Sequence, residues 1–135
     1  MPVQLLSPES MLQPVPYAHV SVSTGSRHVH VAGQIGRDPD TGDLADDLTG
    51  QVAQTLRNTA RGLAAAGATF ADVVRLRFFV TRWSPEKMGE FMAGVDLVAR
   101  ELDLPQPMPP ASLIGVEILF EADVLVEVEA YAVLD

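Results

Sequence analysis

The chain has 135 residues, 47% of them apolar, which is material for one domain around one core. Nine Lys+Arg against eighteen Asp+Glu give a formal charge of −9, and such a surface repels phosphate backbones and argues against nucleic acid as a partner. The absence of cysteine excludes disulfides, thiol nucleophiles and Cys-based zinc sites, and it fits a reducing cytoplasm.

At the start, Met1-Pro-Val-Gln-Leu-Leu-Ser-Pro-Glu9 has no basic stretch followed by an apolar one, so no secretion signal is expected. No apolar run reaches the roughly 18 residues that a membrane span needs. The expectation is one cytoplasmic domain over 1–135, with no membrane partner. Tyr17 to Ser23 and the alternating His28-Val-His-Val-Ala-Gly-Gln-Ile35 read as paired strands, with Thr24-Gly-Ser26 as their turn. His28 and His30 share one strand face but no third ligand is evident, so no metal site is expected. Asp38-Pro-Asp-Thr-Gly42 reads as a turn, the proline presetting one angle and Gly42 supplying a positive φ. It is not a calcium loop, because its glycine comes early and no bidentate Glu follows.

From Leu48 the period changes to that of a helix. Val52, Leu56, Ala60 and Leu63 form a stripe with Ala64 beside it; Asp46, Asp47 or Thr49 caps the start, and Gly67 stands where the helix stops. Val73 to Arg82 reads as a strand, with Val74, Leu76, Phe78 and Val80 on one face and Arg75, Arg77, Phe79 and Thr81 on the other. Ser84-Pro85-Glu86 starts a second helix, whose buried face is Met88, Phe91, Met92, Val95, Val98 and Leu102. The stiff Leu104-Pro-Gln-Pro-Met-Pro-Pro110 ends it. Two strands follow, roughly Ser112 to Leu119 and Val124 to Val133, joined by Phe120-Glu-Ala-Asp123. In the last strand Val126, Val128, Ala130, Ala132 and Leu134 face the helices, opposite Leu125, Glu127, Glu129, Tyr131 and Val133. This order predicts an α+β layer with two helices on one face of a largely antiparallel sheet. The half-apolar second face predicts burial against a copy of the chain.

Taken together, Pro16-Tyr17, Val31-Ala-Gly-Gln-Ile35, Gln54-Thr-Leu-Arg-Asn58, Phe79-Val-Thr, Pro110-Ala-Ser and Val126-Glu-Val-Glu-Ala130 resemble the Rid family, also called YjgF-like or L-PSP proteins. The resemblance runs from about Pro16 to Ala132. It implies a chorismate-mutase-like fold and a homotrimer with small-molecule clefts between subunits. It implies hydrolysis of 2-imino or enamine acids to 2-keto acids and ammonia, without metal or organic cofactor. Carried over by position, Glu127 is the catalytic residue that holds and deprotonates the water. Tyr17 lines the cleft and Gly33 presents backbone to the ligand, with Phe79 and Arg77 as further substrate-binding positions. The family arginine that follows Pro-Ala is replaced by Ser112. Serine offers one donor and no charge, a loss of about 1.5–3 kcal/mol per charged hydrogen bond.

Two readings follow. Either Arg37, Arg75 or Arg77 stands in and an imine hydrolase of altered specificity survives, or the trimer binds a small metabolite without catalysis. An endoribonuclease, a label attached to parts of this family, is disfavoured by the charge.

Overall fold

Period-2 and period-3.6 stretches alternate along the chain. The computed structural model describes residues 3–135, so Met1 and Pro2 of the stretch read for a secretion signal lie outside the described residues. The order is β1 (Val3–Leu6), β2 (Val20–Ser23), β3 (Arg27–Ile35), α1 (Leu48–Ala65), β4 (Val73–Thr81), α2 (Met88–Ala99), β5 (Ala111–Val116) and β6 (Val126–Leu134). Four strands form one sheet in the order β3-β6-β4-β5. β6 runs antiparallel to both β3 and β4, whereas β4 and β5 are parallel and joined by the α2 crossover.

The alternation predicted for β6 is observed: Val126, Val128, Ala130, Ala132 and Leu134 enter the main core with Leu56 and Leu63 of α1 and Phe91, Val95 and Val98 of α2. Phe78 of β4 meets Phe91 edge-to-face at 4.9 Å, an arrangement that suits the ring quadrupoles. Of the candidate caps, Asp47 accepts the Gly50 N–H at 2.8 Å. Gly42 and Gly67 both take positive φ, +82° and +78°, conformations that a Cβ would strain.

Several sequence expectations fail, each for a local reason. β2 pairs with β1, a strand the alternation did not mark, and not with β3. The register of β4 against β6 shifts between Val73 and Arg75. This β-bulge turns Val74 to the outer face, where it packs with Val3 and Val133. One end of that face is therefore covered by the chain's own β1–β2 ribbon, and Ser21 Oγ donates to the Val74 carbonyl at 2.8 Å. β5 ends at Val116 and β6 begins at Val126, so the link between them is longer than the four-residue turn expected. Ala64 is exposed, and Met88 in the first turn of α2 remains 43% exposed.

Gln51 was not anticipated. It is 1% exposed in the first turn of α1, just ahead of the apolar stripe. Its amide donates to the carbonyls of Ala45 and Asp123 at 2.8 and 2.9 Å, and its carbonyl accepts the Leu125 N–H at 2.8 Å. One side chain thus satisfies three backbone groups and pins the entry of β6 to α1. Gln51→Met keeps the shape but strands those groups, each at about 1–3 kcal/mol. Chemical denaturation is expected to show a loss of about 2–4 kcal/mol.

Candidate active site

The strand registers place the charged side chains on the outer sheet face. Across β6, β4 and β5 the rows read Glu127–Phe79–Ile114 and Glu129–Arg77–Ser112, with Tyr131 opposite Arg75 in the next row. On the other flank β3 sets His30 opposite Tyr131 and Ile35 opposite Glu127. The register slips between Val31 and Gln34, and Gly33 lies within this irregular stretch.

Glu127 is half-buried. A Cβ on Gly33 would lie 2.5 Å from its Cδ and 2.6 Å from its Oε1, closer than side-chain carbons approach. Only a glycine lets the β3 backbone sit so close to this carboxylate. Desolvation pushes the Glu127 carboxyl above the usual carboxylate range, and repulsion from Glu129 adds to it.

Its neighbour has a different environment. Glu129 Oε1 stands 2.9 Å from Arg77 Nη2. That approach is an ion pair rather than a well-directed hydrogen bond, for the same buried oxygen has no hydrogen-bond partner. The two carboxylates on one strand face are thus unequal: one has a cation, the other has Gly33 and a phenyl ring.

The three arginines considered as replacements at Ser112 also separate. Arg37 donates to the Gly42 carbonyl at 2.7 Å and to Glu121 at 3.2 Å, so it secures the turn. Arg77 is held by Glu129. Arg75 Nη2 donates to Ser112 Oγ at 2.5 Å, bringing a guanidinium to the serine from the neighbouring strand. A groove of about 490 Å³ is lined by His30, Arg75, Arg77, Glu129 and Tyr131. His30 stacks on Tyr131 at 4.4 Å, and His28 Nδ1 meets the Tyr131 hydroxyl. The sequence shows both histidines and Tyr131 alternating outward, but not the register that joins them.

Gly33, Phe79 and Glu127 are therefore brought together, and Ser112 joins Arg75 and Arg77. Tyr17 pairs with Met108 ahead of β5 and packs against the main core. Among the described residues there is no group of three potential metal ligands.

The profile of the family described as Endoribonuclease L-PSP matches residues 9–134. A curated relative, the 2-iminobutanoate/2-iminopropanoate deaminase of Salmonella typhimurium, is 40% identical over 65 residues. That match spans 48% of this chain and only about half, 49%, of the deaminase. The crystal structure of YyfB from Yersinia pestis, a Rid-family protein of unknown function, superimposes with a TM-score of 0.85 at 35% identity, covering 99% of this chain and 100% of that one. E. coli TdcF with bound serine gives a TM-score of 0.70 at 27% identity, over 93% of this chain and 91% of TdcF. The fold is thus the mixed α+β fold of the YjgF-like proteins.

The Glu127 environment has a consequence for stability. A carboxyl with a raised folded pKa binds a proton more tightly in the folded than in the unfolded state. Stability then falls as pH rises past the ordinary value of 4.5. Glu127→Gln removes that dependence. Urea denaturation is expected to find the variant equal to the parent at acid pH and more stable than it near neutrality.

Proposed function

The chain belongs to the Endoribonuclease L-PSP family, the Rid/YjgF-like proteins, and on that premise we propose that it hydrolyses a reactive imine or enamine acid to a keto acid and ammonia. The observation that carries this reading is Glu127: a carboxylate without a cation partner, half-buried against Gly33, with its pKa raised. Such a group is a better base than a solvated carboxylate. In the proposed reaction Glu127 takes a proton from water as the water oxygen bonds to the imine carbon. That proton passes to the nitrogen to give a carbinolamine; the proton of the new hydroxyl then follows it by way of Glu127, the C–N bond breaks, and ammonia leaves as the carbonyl forms. Phe79 beside Glu127 limits competing solvent on one side.

The deaminase relative and the serine bound to TdcF support a small ligand of amino-acid type. A second reading, a metabolite-binding protein without chemistry, draws on Ser112, which carries no charge where the family arginine is expected. The −9 charge speaks against RNA as substrate.

The test is a coupled assay in which an amino-acid oxidase or dehydratase generates 2-iminopropionate or 2-iminobutyrate and imine decay is followed. The parent chain is expected to accelerate decay, and Glu127→Gln to reduce that acceleration by about 100-fold or more. Unaltered decay with the parent chain favours the binding reading.

We further infer a homotrimer, supported by the partly apolar outer face, with Ile114 39% exposed beside Phe79. Sedimentation equilibrium is expected to give a particle of three 14.5 kDa chains; a monomer at micromolar concentration counts against it.

A further inference from the structure

The groove on the outer face contains a cation that the ion pairs of the sheet leave over. Arg77 is committed to Glu129. Arg75 donates instead to the neutral hydroxyl of Ser112, and no described carboxylate stands within ion-pair distance of it. Of the two arginines on the outer face of β4, Arg77 has a carboxylate and Arg75 does not. The Ser112 bond also orients the hydroxyl. Its oxygen accepts from Arg75, which leaves its own proton to donate elsewhere. A guanidinium and an O–H therefore converge on one point, the donor set that a carboxylate fits.

The position of this point matters more than its charge. Ser112 pairs with Arg77, and Glu127 with Phe79, so the two lie two strands and one side-chain row apart on the same face. With strands about 4.8 Å apart and a rise of about 3.3 Å per residue, their Cα atoms are separated by about 12 Å, and side chains standing perpendicular to the sheet keep about that separation at their ends. A water on Glu127 and its approach to the reacting carbon occupy about 5–6 Å of that span. The hydrogen bond from Ser112 to an anion occupies about 3 Å more. About 3–4 Å is left between the reacting carbon and the anion. A carboxylate bonded directly to an imine carbon keeps its oxygens only about 2.4 Å away, whereas one placed one or two methylenes further on reaches about 3–5 Å.

We propose that the Arg75–Ser112 pair holds a distal carboxylate, so that the preferred substrates are dicarboxylic 2-imino acids of the size of 2-iminoglutarate. This rests on the hydrolase reading above and names its substrate class. Arg77, in the strand between, retains N–H donors beyond the one directed at Glu129 and stands nearer the α-carboxylate. A single arginine at position 112 would serve an α-carboxylate by reaching back towards Glu127; a serine approached by Arg75 moves the anion site outward.

The experiment compares 2-iminoglutarate with 2-iminobutyrate, each generated in place by a flavin amino-acid oxidase, using the full chain and the variants Arg75→Gln, Arg75→Lys and Ser112→Ala. The expected result is a kcat/KM for 2-iminoglutarate about tenfold or more above that for 2-iminobutyrate. The ratio collapses in Arg75→Gln and Ser112→Ala, mainly through KM, and is partly kept in Arg75→Lys, which retains the charge but not the fork. Equal kcat/KM for the two imines, or a preference that survives Arg75→Gln, overturns the distal site and leaves the hydrolase reading in place. If neither imine is turned over, the hydrolase reading fails, and thermal shifts decide the distal site alone. Stabilisation by 2-oxoglutarate but not 2-oxobutyrate, lost in Arg75→Gln, upholds it; equal shifts remove it.

Discussion

The site depends on where β6 begins, and a single buried amide sets that. Gln51 of α1 binds the Asp123 carbonyl and the Leu125 N–H, immediately before the strand, and anchors itself on the Ala45 carbonyl. In a strand the side-chain period is two, so a slip of one residue would send Glu127, Glu129 and Tyr131 into the apolar layer and Val126 and Val128 into solvent. The valines and alanines of β6 oppose such a slip through burial, while Gln51 opposes it through hydrogen-bond geometry. Both act in the same direction, which is the condition for a single register. The amide also explains a buried polar residue in the first turn of the helix. At that point the helix faces the unpaired backbone of a loop end rather than another apolar side chain.

Once the register is fixed, the electrostatics of the outer face follow from which carboxylate gets the arginine. Arg77 sits opposite Glu129 in the ladder and neutralises it. Phe79 sits opposite Glu127 and cannot. Two acids on one strand, two residues apart, therefore have different surroundings: Glu129 lies against a guanidinium, while Glu127 is desolvated beside Gly33 and repelled by its neighbour. Pushing two like groups towards different protonation behaviour is how a protein separates a structural carboxylate from a reactive one. The glycine is part of this effect, since it brings backbone to the carboxylate and keeps water from one side.

Much of this arrangement is readable in the sequence because it is periodic. The alternation of β6 and the apolar stripe of α1 depend only on local spacing, and both appear in the structure as expected. So do the cap at Asp47 and the positive φ of Gly42 and Gly67. The failures occur where a partner has to be chosen. β2 has turn residues before β3 that suit a hairpin, yet it pairs with β1, because the apolar surface of Val3, Val74 and Val133 needs covering. Val74 keeps perfect alternation in sequence and changes face through a bulge that no residue type announces. Gln51 carries no periodic signal, and its role exists only once the loop it serves is folded against it. The Arg75–Ser112 contact joins residues on two parallel strands, 37 positions apart, and one row out of register; side-chain direction alone left Arg75 and Arg77 equivalent.

That contact changes how the substitution at position 112 is understood. On the sequence, serine in place of arginine is a lost cation. In the structure the cation is still present but enters from β4, with its guanidinium ending at the serine hydroxyl. An arginine rooted at 112 extends several ångströms away from its own strand, whereas an arginine rooted at 75 and stopped at Ser112 delivers its charge close to β5 itself. The charge is thus conserved in kind and moved in place. In the proposed hydrolysis, a carboxylate follows the donors that bind it while the attacking water stays with Glu127, so moving the cation lengthens the distance between the two ends of a substrate that engages both.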